Sequence, residues 1–162
     1  MIRRILIAFT LIGYSISVSA QIEPQRAPNW CWASCIQSLI YQAYGEYYSQ
    51  SAIAFDLDGW PQDRPAHINE VAWLLQGYGF KAWRAGRPGN PYELYHSLVS
   101  GWKLIAFVRP SGGAIGHYIV LQGLDQNGNI KVSDPSFGTN RYVPLVELYF
   151  GWRWEDSIVV GL

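Results

Sequence analysis

The hydrophobic period changes once along this chain, near residue 102, and that single change restricts the fold more than any other feature. Before it, apolar residues recur at helical spacing; after it, they come in continuous runs of strand length. Trp32, Cys35, Ile36, Leu39, Ile40 and Ala43 trace one helical face from Trp30 to Tyr44, with Pro28 and Asn29 before the run and Gly45 as its stop. A short helix is expected at Ser51 to Leu57, then a loop from Asp58 to Pro65, then a helix from Ile68 to Gln76 ended by Gly77 and Gly79. "FKAWR" (Phe80 to Arg84) has the length of a short edge strand. Asn90, Pro91 and Glu93 start a further helix as N-cap, first-turn proline and first-turn acid, running to about Ser100.

Beyond that point the elements are strands. "KLIAFVR" (Lys103 to Arg109), "HYIVLQGL" (His117 to Leu124) and "IKVSD" (Ile130 to Asp134) are separated by the turn "SGGAIG" and by "DQNGN", which carries an Asn-Gly hairpin signal. The turn Pro135 to Thr139, a short strand at Arg141 to Val143, a helical turn from Pro144 to Tyr149 and a terminal strand "DSIVVGL" complete the chain. Helices first and an antiparallel sheet second define an α+β fold, not an alternating βαβ one.

The N-terminus reads as an export signal. Arg3 and Arg4 precede an apolar run, Ile5 to Tyr14, and Val18-Ser19-Ala20 supplies the small residues of a cleavage site. The run falls short of the roughly 20 residues a spanning helix needs. The expectation is a signal peptide at 1–20 and one mature domain at 21–162, periplasmic or secreted, with no membrane span in the mature chain. Formal charge is zero, which argues against nucleic acid as partner. The eight Trp residues are expected to fill the core rather than form a sugar-stacking surface.

Two cysteines cannot form a dense disulfide scaffold, and both fall within one helix, four residues apart. Side chains so spaced stack on consecutive turns, and the torsion a disulfide requires would strain the helix. Cys31 lies in the first helical turn, where unpaired N–H groups and the macrodipole favour thiolate over thiol. Cys35, among Ile36 and Leu39, reads as core. A thiolate nucleophile needs a base and the base an orienting acceptor. His117 opens a strand after a glycine-flanked turn. Asp134 closes the next strand of the same hairpin, where antiparallel pairing sets it beside the start of the His117 strand. His67, before a helix, reads as a cap or solvent residue, and His96 as a surface residue. Asp56, Asp58 and Asp63 read as loop carboxylates lacking a full calcium-loop pattern. No Cys-x2-Cys or His-x3-His spacing calls for zinc, and no cofactor is expected. The Gly112-Gly113 pair, with no lysine or helix start after it, reads as a hairpin turn and not a phosphate loop.

Taken together, Gln25-x5-Cys31-Trp32-Ala33-Ser34, "GHYIVLQGLD" and "VSDPSFG" resemble the active-site segments of papain-like cysteine peptidases. The likeness is to the compact bacterial branch with a W-C-W-A-[AS] signature, including effector proteases and double-glycine leader peptidase domains. The resemblance implies a papain-like fold, N-terminal helices packed on a C-terminal antiparallel sheet. It also implies catalytic roles for Cys31, His117 and Asp134, with the Gln25 amide joining the Cys31 N–H in an oxyanion hole. Trp32, where the plant-type enzymes carry a small residue, and Asp in place of Asn as orienter fit the bacterial branch. The implied function is a secreted thiol hydrolase cleaving peptide bonds in a protein or peptide substrate, as a monomer. Other Cys-dependent acyl transfer, of amidase or transglutaminase type, and an inert binding module of the same fold stand as alternatives. About ten residues would separate the cleavage site from Cys31, too few for an inhibitory propeptide. A cognate inhibitor or immunity protein is therefore the expected restraint.

Overall fold

A computed structural model describes residues 22–110 and 115–162. The expected signal peptide and the Gly112-Gly113 turn lie outside the described residues. The elements follow the predicted order: helices α1 (Cys31–Tyr44), α2 (Gln50–Asp58) and α3 (Ile68–Gly77), strand β1 (Lys81–Arg84), helix α4 (Pro91–Val99), then β2 (Lys103–Val108), β3 (His117–Leu124), β4 (Ile130–Asp134), β5 (Thr139–Val143) and β6 (Trp154–Gly161). The strands form one antiparallel sheet in the order β1-β6-β2-β3-β4-β5. "FKAWR" is indeed an edge strand, paired with the terminal β6. No helix of the described residues is long and apolar enough to cross a membrane.

The sheet is covered on both faces, and strand alternation decides which side chain goes where. Tyr118 and Val120 of β3 pack with α1 and α3 in one cluster. Ile119 and Leu121 point the other way, into a second cluster with Leu94 and Leu98 of α4, Leu148 and Trp152. Helix α1 is the central member: every residue from Cys31 to Ile40 is buried. That explains why its sequence is apolar well beyond one face.

Two local expectations change. Asp56 and Asp58 are helical, not loop residues, because Ser49 caps α2 by accepting the Ala52 N–H and Gly59 ends it at φ 76°. Asp58 then pairs with Arg64 at 2.6 Å, and Arg64 also holds Glu70 at 2.9 Å. The helical turn after Pro144 widens into a single π-helical turn, Glu147–Gly151. The tryptophans divide: Trp30, Trp32, Trp152 and Trp154 are buried, whereas Trp60, Trp73 and Trp83 are exposed. Core filling therefore accounts for only some of them. His67 is the N-cap of α3 in a capping box with Glu70, and His96 is exposed.

Candidate active site

Helices α2, α3 and α4 each begin with a side-chain cap, from Ser49, His67 and Asn90. Helix α1 does not: its N-cap is Trp30, with no side-chain hydrogen bond. The first-turn N–H groups of α1 are thus left without a side-chain acceptor, and Cys31 is the residue placed there. Both cysteines are free thiols. Cys31 is 7% exposed and Cys35 fully buried. Burial pushes the Cys35 thiol well up, and the nearby Cys31 and Asp134 charges push the same way. It is the less reactive of the two.

His117 is the first residue of β3 and pairs with Val108 of β2. Gly116 precedes it for a steric reason: a Cβ there would sit 1.8 Å from Phe107 Cζ. The His117 ring reaches Asp134, with Nε2 2.8 Å from Asp134 Oδ1. The route to this contact differs from the expected one. Val120 pairs with Ser133 and Leu121 with Val132, so the same register sets Asp134, the last residue of β4, across from Ile119 and not from His117. Asp134 is therefore a diagonal neighbour on the same face. Such neighbours lie about 7–8 Å apart at Cα, within reach of an imidazole and a carboxylate. The offset follows from unequal strand lengths, eight residues in β3 and five in β4, and the one-residue irregularity between Leu121 and Leu124 sets Asp134 on the face of His117.

Ser136, not singled out in the sequence, completes the contact. Its N–H donates to Asp134 Oδ1 at 2.9 Å and its Oγ lies 3.0 Å from His117 Nε2. The signal was present in "DPS": an Asp side chain commonly accepts the N–H two residues on, and Pro135 between them has none to offer.

With Nε2 facing Asp134 and Ser136, Nδ1 is the ring nitrogen left for the thiol. Burial disfavours imidazolium, but hydrogen bonds to Asp134 and Cys31 and the charges of both outweigh it, so His117 is pushed up to about 9. Burial would likewise raise Asp134, yet the His117 hydrogen bond, the Ser136 N–H and the His117 charge hold it below its ordinary value. Both shifts favour an ion pair of imidazolium and carboxylate at neutral pH.

Gln25, Cys31 and His117 line one open cavity of about 840 Å³, with Trp32 and Phe107 among its apolar walls. Asp134 sits behind His117, against a smaller cavity on the far side. The Gln25 Nε2 donates to Pro28 O at 2.7 Å and to Ala27 O at 3.1 Å. The cavity is also lined by the ion pairs Arg84–Asp156 at 2.7 Å and Arg109–Glu155 at 2.8 Å.

A thiol at an uncapped helix start, lining one cavity with an imidazole that a carboxylate backs, is the arrangement of a papain-like thiol hydrolase. The comparisons with known proteins agree. The family model described as "Papain-like cysteine protease AvrRpt2" matches residues 10–149, and the chain belongs to that family, as an enzyme of the cysteine peptidase type. Among solved structures it is similar to the peptidase domain of Streptococcus ComA, a bifunctional ABC transporter of a quorum-sensing pathway. That match has a TM-score of 0.68 at 16% identity over 88% of this chain and 98% of the other. The N-terminal peptidase C39-like domain of a toxin secretion ATP-binding protein from Vibrio parahaemolyticus gives 0.52 at 18% identity over 82% and 95%. Identities this low establish the fold, which is papain-like. No curated protein sequence matches.

Proposed function

We propose that the protein is an exported peptidase that cleaves peptide bonds in a protein or peptide substrate through Cys31. The observation that carries this is His117, held by Asp134 and lining the same open cavity as Cys31 at the start of α1. In this mechanism Cys31 Sγ attacks the scissile carbonyl as thiolate, and a C–S bond forms while the carbonyl π pair moves onto oxygen. The Cys31 N–H at the α1 start and the Gln25 amide hold that oxyanion. The Ala27 bond, the longer of the two that Gln25 Nε2 makes, is the one an oxyanion would displace. Imidazolium His117 gives its proton to the leaving amine as the C–N bond breaks. Neutral His117 then takes a proton from water, which attacks the thioester and releases the acid, returning His117 to imidazolium and Cys31 to thiolate. Asp134 keeps the ring oriented throughout.

Residues 1–20 act as a signal peptide in this proposal, and 21–162 as one mature domain working as a monomer outside the cytoplasm. A cognate inhibitor or immunity protein restrains it. The test is labelling with an iodoacetamide or epoxide thiol probe at neutral pH, together with a peptide-library digest run beside an amine-incorporation assay. The proposal requires cleavage of library peptides by the wild type and loss of both labelling and cleavage in Cys31→Ala. Equal labelling of the mutant through Cys35 refutes the assignment, and amine incorporation without cleavage replaces hydrolysis by acyl transfer.

A further inference from the structure

The Gln25 side chain bonds to Ala27 O and Pro28 O, while the backbone around it is held from α2. Gln50, the first residue of α2, is fully buried. Its Oε1 accepts the Arg26 N–H at 2.8 Å, and its Nε2 donates to Pro24 O at 3.0 Å. A single planar amide thus grips the main chain on both sides of Gln25. The Gln25 N–H makes a third attachment, to Pro135 O at 2.8 Å, next to Asp134. Gly138, at the end of that turn, lies close enough to Pro24 that an added Cβ would meet its Cδ at 2.6 Å.

The Gln50 amide is itself oriented. Its Nε2 also donates to Gln37 Oε1 at 3.0 Å, which turns Oε1 toward Arg26. Gln37 is 3% exposed, and its Nε2 is buried without a hydrogen-bond partner. An orphaned buried donor costs stability, whereas an apolar pair of similar shape in these two positions would be close to neutral. A polar pair kept here at that cost does something an apolar pair cannot do, namely define the path of Pro24 to Arg26.

We propose that Gln50 is a positioning residue for the oxyanion site, holding residues 24–26 so that the Gln25 amide faces the cavity wall that carries Cys31. The proposal rests on Gln25 being an oxyanion donor. Gln50 touches no reacting atom and acts only through Gln25.

Two small reagents separate this role from general folding. p-Nitrophenyl acetate acylates a thiolate through an oxyanion: the C–S bond forms, the C–O bond breaks and p-nitrophenolate leaves. Iodoacetamide alkylates the same sulfur by displacement of iodide, with no oxyanion. The expected result is that Gln25→Ala slows acylation about 10²-fold and Gln50→Met about tenfold, while alkylation stays within about twofold in both. The double variant Gln37→Leu/Gln50→Leu, which fills the same volume with an apolar pair, should match Gln50→Met and keep the cooperative unfolding of the wild type. If Gln25→Ala acylates at the wild-type rate, the oxyanion role of Gln25 falls and this proposal with it. If Gln25→Ala is slowed and folded Gln50 variants are not, Gln25 stands and the positioning role alone is overturned. Parallel loss of acylation and alkylation, or failure of both Gln50 variants to fold, makes Gln50 a stability residue and overturns the proposal too.

Discussion

His117 Nε2 lies 2.8 Å from Asp134 Oδ1 although the two residues are not cross-strand partners. The contact spans a diagonal of the sheet, with Ser136 bonded to both. Asp134→Ala removes the acceptor that both orients the ring and stabilises its charge. The expected loss of hydrolysis is about 10²-fold or more. Asp134→Asn keeps an oxygen for Nε2–H and should lose less, and comparing kcat/KM of the two variants decides between orientation and charge.

The same pair makes stability depend on pH with a definite sign. His117 is raised to about 9 from the ordinary value near 6.5, so its contribution is complete below about 6.5 and disappears as pH rises through about 9. Asp134 is lowered, so its contribution is present above about 3.9 and is lost as pH falls through its shifted value. Stability should therefore be greatest between about pH 4 and 6.5, falling by on the order of 2–3 kcal/mol toward pH 9. Urea unfolding across that range measures it. The slope on the alkaline side should shrink in Asp134→Ala, whose His117 resonance titrates at lower pH by NMR.

Gly116→Ala tests the approach to the site from the other side. A Cβ would meet three carbons of the Phe107 ring between 1.8 and 2.8 Å, and that ring also packs on Tyr118. The expected cost is about 1–3 kcal/mol with displacement of His117 and loss of activity. Adding Phe107→Leu should recover part of both. Denaturant midpoints and activity of the single and double variants give the result.

Cys35 should be silent toward thiol reagents in the native state. It is fully buried one turn below Cys31, and burial pushes its thiol well up. Native protein should take up one equivalent of iodoacetamide at neutral pH and a second only after unfolding. Cys35→Ala should keep hydrolytic activity while losing stability, as cavity formation in a core requires.

The order of elements was legible because period, caps and turns are local: Asn90-Pro91 started α4, the Asn127-Gly128 turn closed β3 on β4, and Gly45 ended α1. That Cys31 and His117 line one cavity was legible only through residue types and their order. Contacts set by register were not. β3 has eight residues and β4 only five, so Asp134 stops short of the position across from His117, and the one-residue irregularity after Leu121 that sets it on the same face is encoded by no property of the residues themselves. Gln50 stayed hidden for a related reason. Gln50 falls just before the helix expected from Ser51, where a glutamine reads as solvated, and only the packing of α2 on α1 shows that it is buried.

The central claim is that Cys31 becomes acylated, and mass spectrometry of the protein quenched during turnover of p-nitrophenyl acetate tests it most directly. The account predicts one acetyl group, mapped to the peptide that contains Cys31, appearing with a burst of p-nitrophenolate and absent from Cys31→Ala and from His117→Ala. An acetyl group on Cys35 or Ser136 in place of Cys31, or undiminished ester hydrolysis by Cys31→Ala, would contradict it.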